Sequence, residues 1–136
     1  MNRLPGRIVQ VEIAGSIALL DVEASGCRFA AMTVGASDEA AAWRIGMPVT
    51  LLFKETEVSL AKNLSGLISM RNRIPATVIA VERGQVLTKV TLDFHGCELV
   101  SIITTRSSHS LSLEVGDQVE GLVKANEMTL LPEAAP

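Results

Sequence analysis

Ala76 to Phe94 reads ATVIAVERGQVLTKVTLDF, and the reading of this stretch decides the fold. Val, Ile, Leu and Thr fill two runs, 76–83 and 86–93, separated by Gly84-Gln85. That pattern predicts two antiparallel strands joined by a tight hairpin. Toward the C-terminus, His95-Gly96 supplies a turn and Cys97 to Thr104 a third strand. Ser107 to Leu113 reads as a helical turn stopped at Val115-Gly116-Asp117. A strand from Gln118 to Lys124 follows, and a short one from Glu127 to Leu131 closes the unit. Five short strands with one helical turn predict a small OB-like barrel.

The same order recurs toward the N-terminus. A gapless shift of 70 residues aligns Asn2 with Asn72, Pro5 with Pro75, Gly26-Cys27 with Gly96-Cys97, Gly46 with Gly116, Lys54 with Lys124 and Glu57 with Glu127. Residues 6–13 and 16–23 repeat the hairpin, and Cys27 to Val34 follows Ser25-Gly26 as the third strand. Ser37-Asp38-Glu39 resembles a helix N-terminus leading through Ala40 to Trp43, with Gly46 near its stop. The prediction is an all-β chain of two tandem OB-like five-stranded barrels, each with a short helical turn, over residues 1–62 and 67–132. The link from Ala61 to Leu67 is polar enough to be flexible, and the tail from Pro132 to Pro136 is expected to fray. Units of about 65 residues lie near the lower limit for a self-sufficient core, so each needs a partner.

Composition narrows the function classes. Of the 136 residues 48% are apolar but only 3% aromatic, so aliphatic side chains must fill the core. No apolar run approaches the roughly 18 residues of a membrane span, and the start lacks the apolar core of a secretory signal. A cytoplasmic address is the default expectation. The net charge of −3 opposes a phosphate backbone, and Phe29, Phe53 and Phe94 without any Tyr make a poor stacking platform; no nucleic-acid partner is expected. Cys27 and Cys97 occupy equivalent positions and read as small apolar strand residues rather than a disulfide or metal site. His95 and His109 lack partners at metal-ligand spacing, and no acid stands near Ser107-Ser108-His109 or Ser110 to build a triad. No catalytic or metal-ligating residue is assigned, and Trp43 is expected to anchor its turn in the core or an interface.

Three clusters carry chemistry: Ser69-Met70-Arg71-Asn72, Thr104-Thr105-Arg106-Ser107 and Lys124-Ala125-Asn126. Their hydroxyls, forked guanidinium and ammonium are the donors that hold a compact tetrahedral dianion. Arg71 would neutralise charge with directional bonds and Lys124 as a point charge, while Ser69, Thr104 and Ser107 fill the remaining oxygen positions. The other reading is that they are solvated strand ends.

Residues 67–131 also resemble the Mop domain, the molybdate-binding repeat of molbindins and of TOBE modules in molybdate transporters and regulators. Ser69-Met70-Arg71-Asn72-Arg73-Ile74 is similar to the family's opening motif, and Val78-Ile79-Ala80-Val81-Glu82 to its first strand. Ile103-Thr104-Thr105-Arg106-Ser107-Ser108-His109-Ser110-Leu111 resembles its Ile-Thr-x-x-Ser-x-x-Ser-Leu segment. Gly116-Asp117-Gln118-Val119 and Leu122-Val123-Lys124-Ala125 complete the order. The resemblance implies a two-repeat molbindin that binds molybdate or tungstate as an oxyanion for storage or homeostasis. It further implies a homo-oligomer, with a trimer favoured, and sites between subunits. The implied ligand set is Ser69, Arg71, Thr104, Ser107, Lys124, Ala125 and Asn126, where Asn126 replaces the usual Ser. The first copy departs further: Met1 stands at the Arg71 position, Val34 at that of Thr104, and Glu55 follows Lys54, leaving Ser37 and Thr56 as donors. Its site is expected to be degenerate, since a carboxylate beside a dianion is repulsive. The alternative function is a ligand-free structural or regulatory TOBE module that oligomerises or docks onto a molybdate transporter or regulator.

Overall fold

In the computed structural model, which describes residues 1–35 and 42–133, the chain runs β1 (Asn2–Ala14), β2 (Ile17–Ala24), β3 (Cys27–Val34), β4 (Pro48–Phe53) and β5 (Ser59–Ala61). It then repeats as β6 (Asn72–Arg83), β7 (Leu87–Phe94), β8 (Cys97–Thr104), the helix α1 (Thr105–Ser110), β9 (Gln118–Val123) and β10 (Thr129–Pro132). Short 3-10 turns at Glu55–Glu57 and Ala125–Glu127 follow β4 and β9. The all-β, OB-like prediction holds. The helical turn expected to begin at Ser37 lies outside the described residues, although Trp43 at its end does pack against the core.

Each long first strand does two jobs. Residues 72–77 of β6 pair with β9 and residues 77–83 with β7, and the register shifts between Val78 and Ala80. Such a bulge bends the strand and increases its twist, and Val78 there bonds Asp117 and Gly116 instead of β7. β1 does the same between Ile8 and Gln10. The strand also begins earlier than the hairpin reading suggested, because Asn72 to Pro75 join the β9 ladder. Over this half β6 has a ladder on one side only, the setting that admits a proline. The turns follow sequence expectation: Ser25-Gly26 and His95-Gly96 both take positive φ, +49°/+79° and +48°/+87°. Two successive residues of that kind make the turn whose twist matches a hairpin.

One expectation is corrected. The sequence places the strand after Glu127 as the closing strand of its own unit, but β10 pairs with β4 of the first repeat, Leu130 opposite Leu51. Reciprocally, β5 pairs with β9 of the second, Leu60 opposite Gly121. The sheets are therefore β10-β4-β1-β2-β3 and β5-β9-β6-β7-β8. The 3-10 turns cause the exchange. Glu57 N–H bonds Lys54 O and Glu127 N–H bonds Lys124 O, which swings the chain out of its own sheet and across the third strand of the other repeat. Val58 and Met128, next after the turns, are then buried.

The two sheets share one core, in which Phe29 and Phe94 meet edge to face with centroids 6.0 Å apart. The repeated asparagines tie the units together. Asn72 accepts from Ala30 N at 2.7 Å and donates to Ala30 O at 2.9 Å; Asn2 makes the same pair with Val100, both at 2.8 Å. β3 and β8 end their sheets, so each buried amide side chain satisfies an edge that would otherwise be unpaired.

Candidate functional site

The register of β6 against β9 assembles the first cluster. Asn72 lies opposite Val123, so Arg71, one residue before β6, and Lys124, one residue after β9, emerge at the same end of the pair. The 3-10 turn then brings Ala125 and Asn126 round beside them. Ser69, Met70, Arg71, Lys124, Ala125 and Asn126 line a cavity of about 270 Å³, whose remaining wall is Met32 from β3 of the first repeat. The turn lies against β3, which explains that wall. Sequence reasoning missed Met32, and no local signal marks it.

Among the described residues, neither Arg71 nor Lys124 forms an ion pair. Arg71 also borders a neighbouring cavity with Glu12 and Asp21, but Asp21 already accepts from Arg28 at 2.7 and 3.1 Å. A forked guanidinium, an ammonium, an amide and a hydroxyl with free donors suit a small anion rich in acceptor oxygens. The cavity exceeds a water's share of about 30 Å³ several-fold, so it also has room for groups from a second molecule.

Thr104 and Ser107 lie elsewhere. Thr104 caps α1, accepting from Ser107 N at 3.1 Å and donating to Ser107 Oγ at 2.8 Å. Thr105 donates to Gly84 O just beyond the end of β6, whereas Arg71 precedes its beginning. The two clusters thus stand at opposite ends of the 12-residue β6. Thr104 borders a separate cavity of about 560 Å³ with Gln85, Val86, Thr105, Arg106 and His109. One chain brings Ser69, Arg71, Lys124, Ala125 and Asn126 together and leaves Thr104 and Ser107 apart.

The equivalent position in the first repeat has different electrostatics. Glu55, the counterpart of Ala125, pairs with the amino group of Met1. That hydrogen bond holds its carboxyl below the usual glutamate range, so the position carries an ion pair where the second repeat has the uncharged Ala125. Among the described residues no group of three or more His, Cys, Asp or Glu could hold a metal ion, and no helix is long and apolar enough to cross a membrane.

Comparison with known proteins agrees with this architecture. A family model described as the TOBE domain matches residues 1–60 and 68–130. The chain superposes with a TM-score of 0.88 and 27% identity on a molybdate-bound structure of the cytoplasmic molybdate-binding protein ModG, covering 95% of this chain and 94% of that one. Over 80 residues it is 45% identical to the molybdenum import ATP-binding protein ModC of Brucella abortus (strain 2308), covering 58% of this chain and 22% of ModC. Over 115 residues it is 29% identical to the molybdenum transport protein ModE of Herbaspirillum seropedicae, covering 76% of this chain and 43% of ModE. The chain thus spans less than half the length of either curated relative.

Proposed function

Because this chain belongs to the TOBE domain family, and carries the domain twice, we propose that it binds molybdate or tungstate as an intact oxyanion. Its role is storage or homeostasis in the cytoplasm, without catalysis. The observation that carries the reading is the gathering of Ser69, Arg71, Lys124 and Asn126 around one cavity, with no carboxylate among the described residues that line it. Likeness to ModG over nearly the whole of both chains supports the ligand class.

Binding is electrostatic and geometric. Arg71 offers two parallel N–H bonds to adjacent oxygens, Lys124 adds a point charge, and Ser69 and Asn126 donate to what remains. The acidic net charge does not oppose this, since a local pocket sets its own field. Thr104 and Ser107 act on the same anion from a second subunit, because one chain holds them at the far end of β6. A closed homo-oligomer, a trimer in our reading, meets that need. The first repeat, residues 1–62, has a degenerate site and serves as scaffold and wall.

Isothermal titration with molybdate, with sulfate as the size-mismatched control and light scattering to fix the oligomer, tests the reading. Tight molybdate binding near one per chain is expected. Silence with both anions from a folded oligomer would refute it. The likeness to segments of ModC and ModE favours, as second reading, a ligand-free regulatory module that docks onto a transporter or regulator.

A further inference from the structure

The helix that Thr104 caps and that carries Ser107 cannot hold itself. α1 has six residues, far short of the roughly 12 to 15 at which isolated helices become even marginal in water. Two cations from outside the helix fasten it. Arg83, at the end of β6, donates to Ser108 Oγ at 3.1 Å and to Leu113 O at 2.8 Å. Lys62, one residue beyond β5, donates to Leu111 O and Ser112 O at 3.1 Å and to Asp117 Oδ2 at 2.9 Å. The carbonyls at a helix C-terminus have no partner within the helix and attract positive charge. Asp117 in turn accepts from Glu114 N at 2.8 Å, so a single ammonium closes the whole loop from Leu111 to Asp117. Ser112 is held there with φ at +48°, a conformation that needs such support in a residue with a Cβ.

By sequence, the two clamp cations have no counterparts in the first repeat. The 70-residue shift puts Ile13 at the place of Arg83 and Pro132 at that of Lys62, and neither can donate. The repeat lacking both cations also has Val34 where the other has Thr104. The clamp cations and the Thr104 hydroxyl therefore occur together, while Ser37 keeps the place of Ser107. Lys62 moreover arrives on the chain that β5 carries across from the first repeat to β9.

We propose that Lys62 is a positioning residue for the oxyanion site: it ties the end of α1 to the chain leaving the exchanged strand of the first repeat, so that the docked β5 fixes the Ser107 hydroxyl and, through their mutual hydrogen bond, that of Thr104. The inference rests on the oxyanion-binding reading above. It gives the repeat with the degenerate site a part in binding through the strand and the lysine it donates.

The test is made on the full chain with Lys62→Met, Lys62→Arg and, approaching the same bridge from its other side, Asp117→Asn. Two readouts are taken: amide exchange at Leu111 and Leu113, and molybdate affinity by titration. Lys62→Met and Asp117→Asn should speed exchange at these two amides while the β9 amides stay protected. If α1 is then ordered about a tenth of the time, affinity falls about tenfold, since apparent binding scales with the competent fraction. Lys62→Arg should recover most of both. Unchanged exchange would overturn the clamp, and faster exchange with unchanged affinity would overturn its service to the site. A wild-type protein silent to molybdate would instead refute the oxyanion reading, a result distinguishable from either.

Discussion

Replacing Asn72 by Ala tests how the two repeats are joined. The side chain is fully buried and makes two hydrogen bonds to one residue, at 2.7 Å from Ala30 N and 2.9 Å to Ala30 O. Ala30 is itself buried and sits on β3, the last strand of its sheet, so no other strand can take over. A buried polar group left unpaired costs about 1–3 kcal/mol; two of them, partly relieved by water entering the space, cost about 3 kcal/mol. Against a domain stability of about 5–15 kcal/mol that is a large fraction. With an unfolding entropy of about 2.1 cal/mol/K per residue, a chain of this length loses roughly 10 °C of melting temperature. Urea unfolding at fixed protein concentration measures the loss as a lower midpoint with unchanged slope. Asn2→Ala, which strips Val100 of the same pair, should cost a similar amount. Asn72→Asp should be pH-dependent in an informative direction: one carboxylate oxygen must face Ala30 O, which raises the folded-state pKa. Its stability is therefore present at acid pH and lost as pH rises through that raised value. If Asn72→Ala and Asn2→Ala both lie within about 0.5 kcal/mol of wild type, the ordinary range for surface substitutions, the asparagine grip is not what unites the repeats.

Arg71→Ala should weaken molybdate binding at least about 100-fold while leaving the oligomer intact, as expected for a lost bidentate charge-assisted contact worth about 3 kcal/mol; unchanged affinity in titration would remove Arg71 from the site. Met32→Glu puts a carboxylate into the cavity wall and should abolish binding, whereas Met32→Leu, which keeps the volume, should change it little. The Lys62 hydrogen bond, with a second from Glu114 N, holds the Asp117 carboxyl below its usual value of 3.8. A depressed carboxylate contributes stability above its unfolded-state value and loses it as pH falls through the folded-state value, so protection of the Leu111 and Leu113 amides, measured against their intrinsic exchange rates, should fall in strongly acidic solution, and Asp117→Asn should remove that dependence. Gly96→Val, at φ +87°, should destabilise the β7–β8 hairpin by about 1–2 kcal/mol in urea unfolding.

By itself the sequence determined what is local. Val and Ile runs around Gly84-Gln85 specify a hairpin, and Ser25-Gly26 and His95-Gly96 specify turns because the backbone there must take positive φ. The repeat makes two such units. Ser69, Arg71, Lys124 and Asn126 stood out as donor-rich clusters and through the Mop resemblance, but that they line one cavity came from the register of β6 against β9. Tertiary structure alone decided which sheet each fifth strand joins, because alternation along a short strand states which face is buried and not which neighbour it hydrogen-bonds. It alone gave Asn2 and Asn72 their partners, set Met32 into the cavity wall, and separated Thr104 and Ser107 from Arg71 by the length of β6. Lys62, in a link the sequence reads as flexible, owes its fixed position to carbonyls about 50 residues further along the chain, and an acceptor so remote leaves no periodicity in the sequence around the lysine.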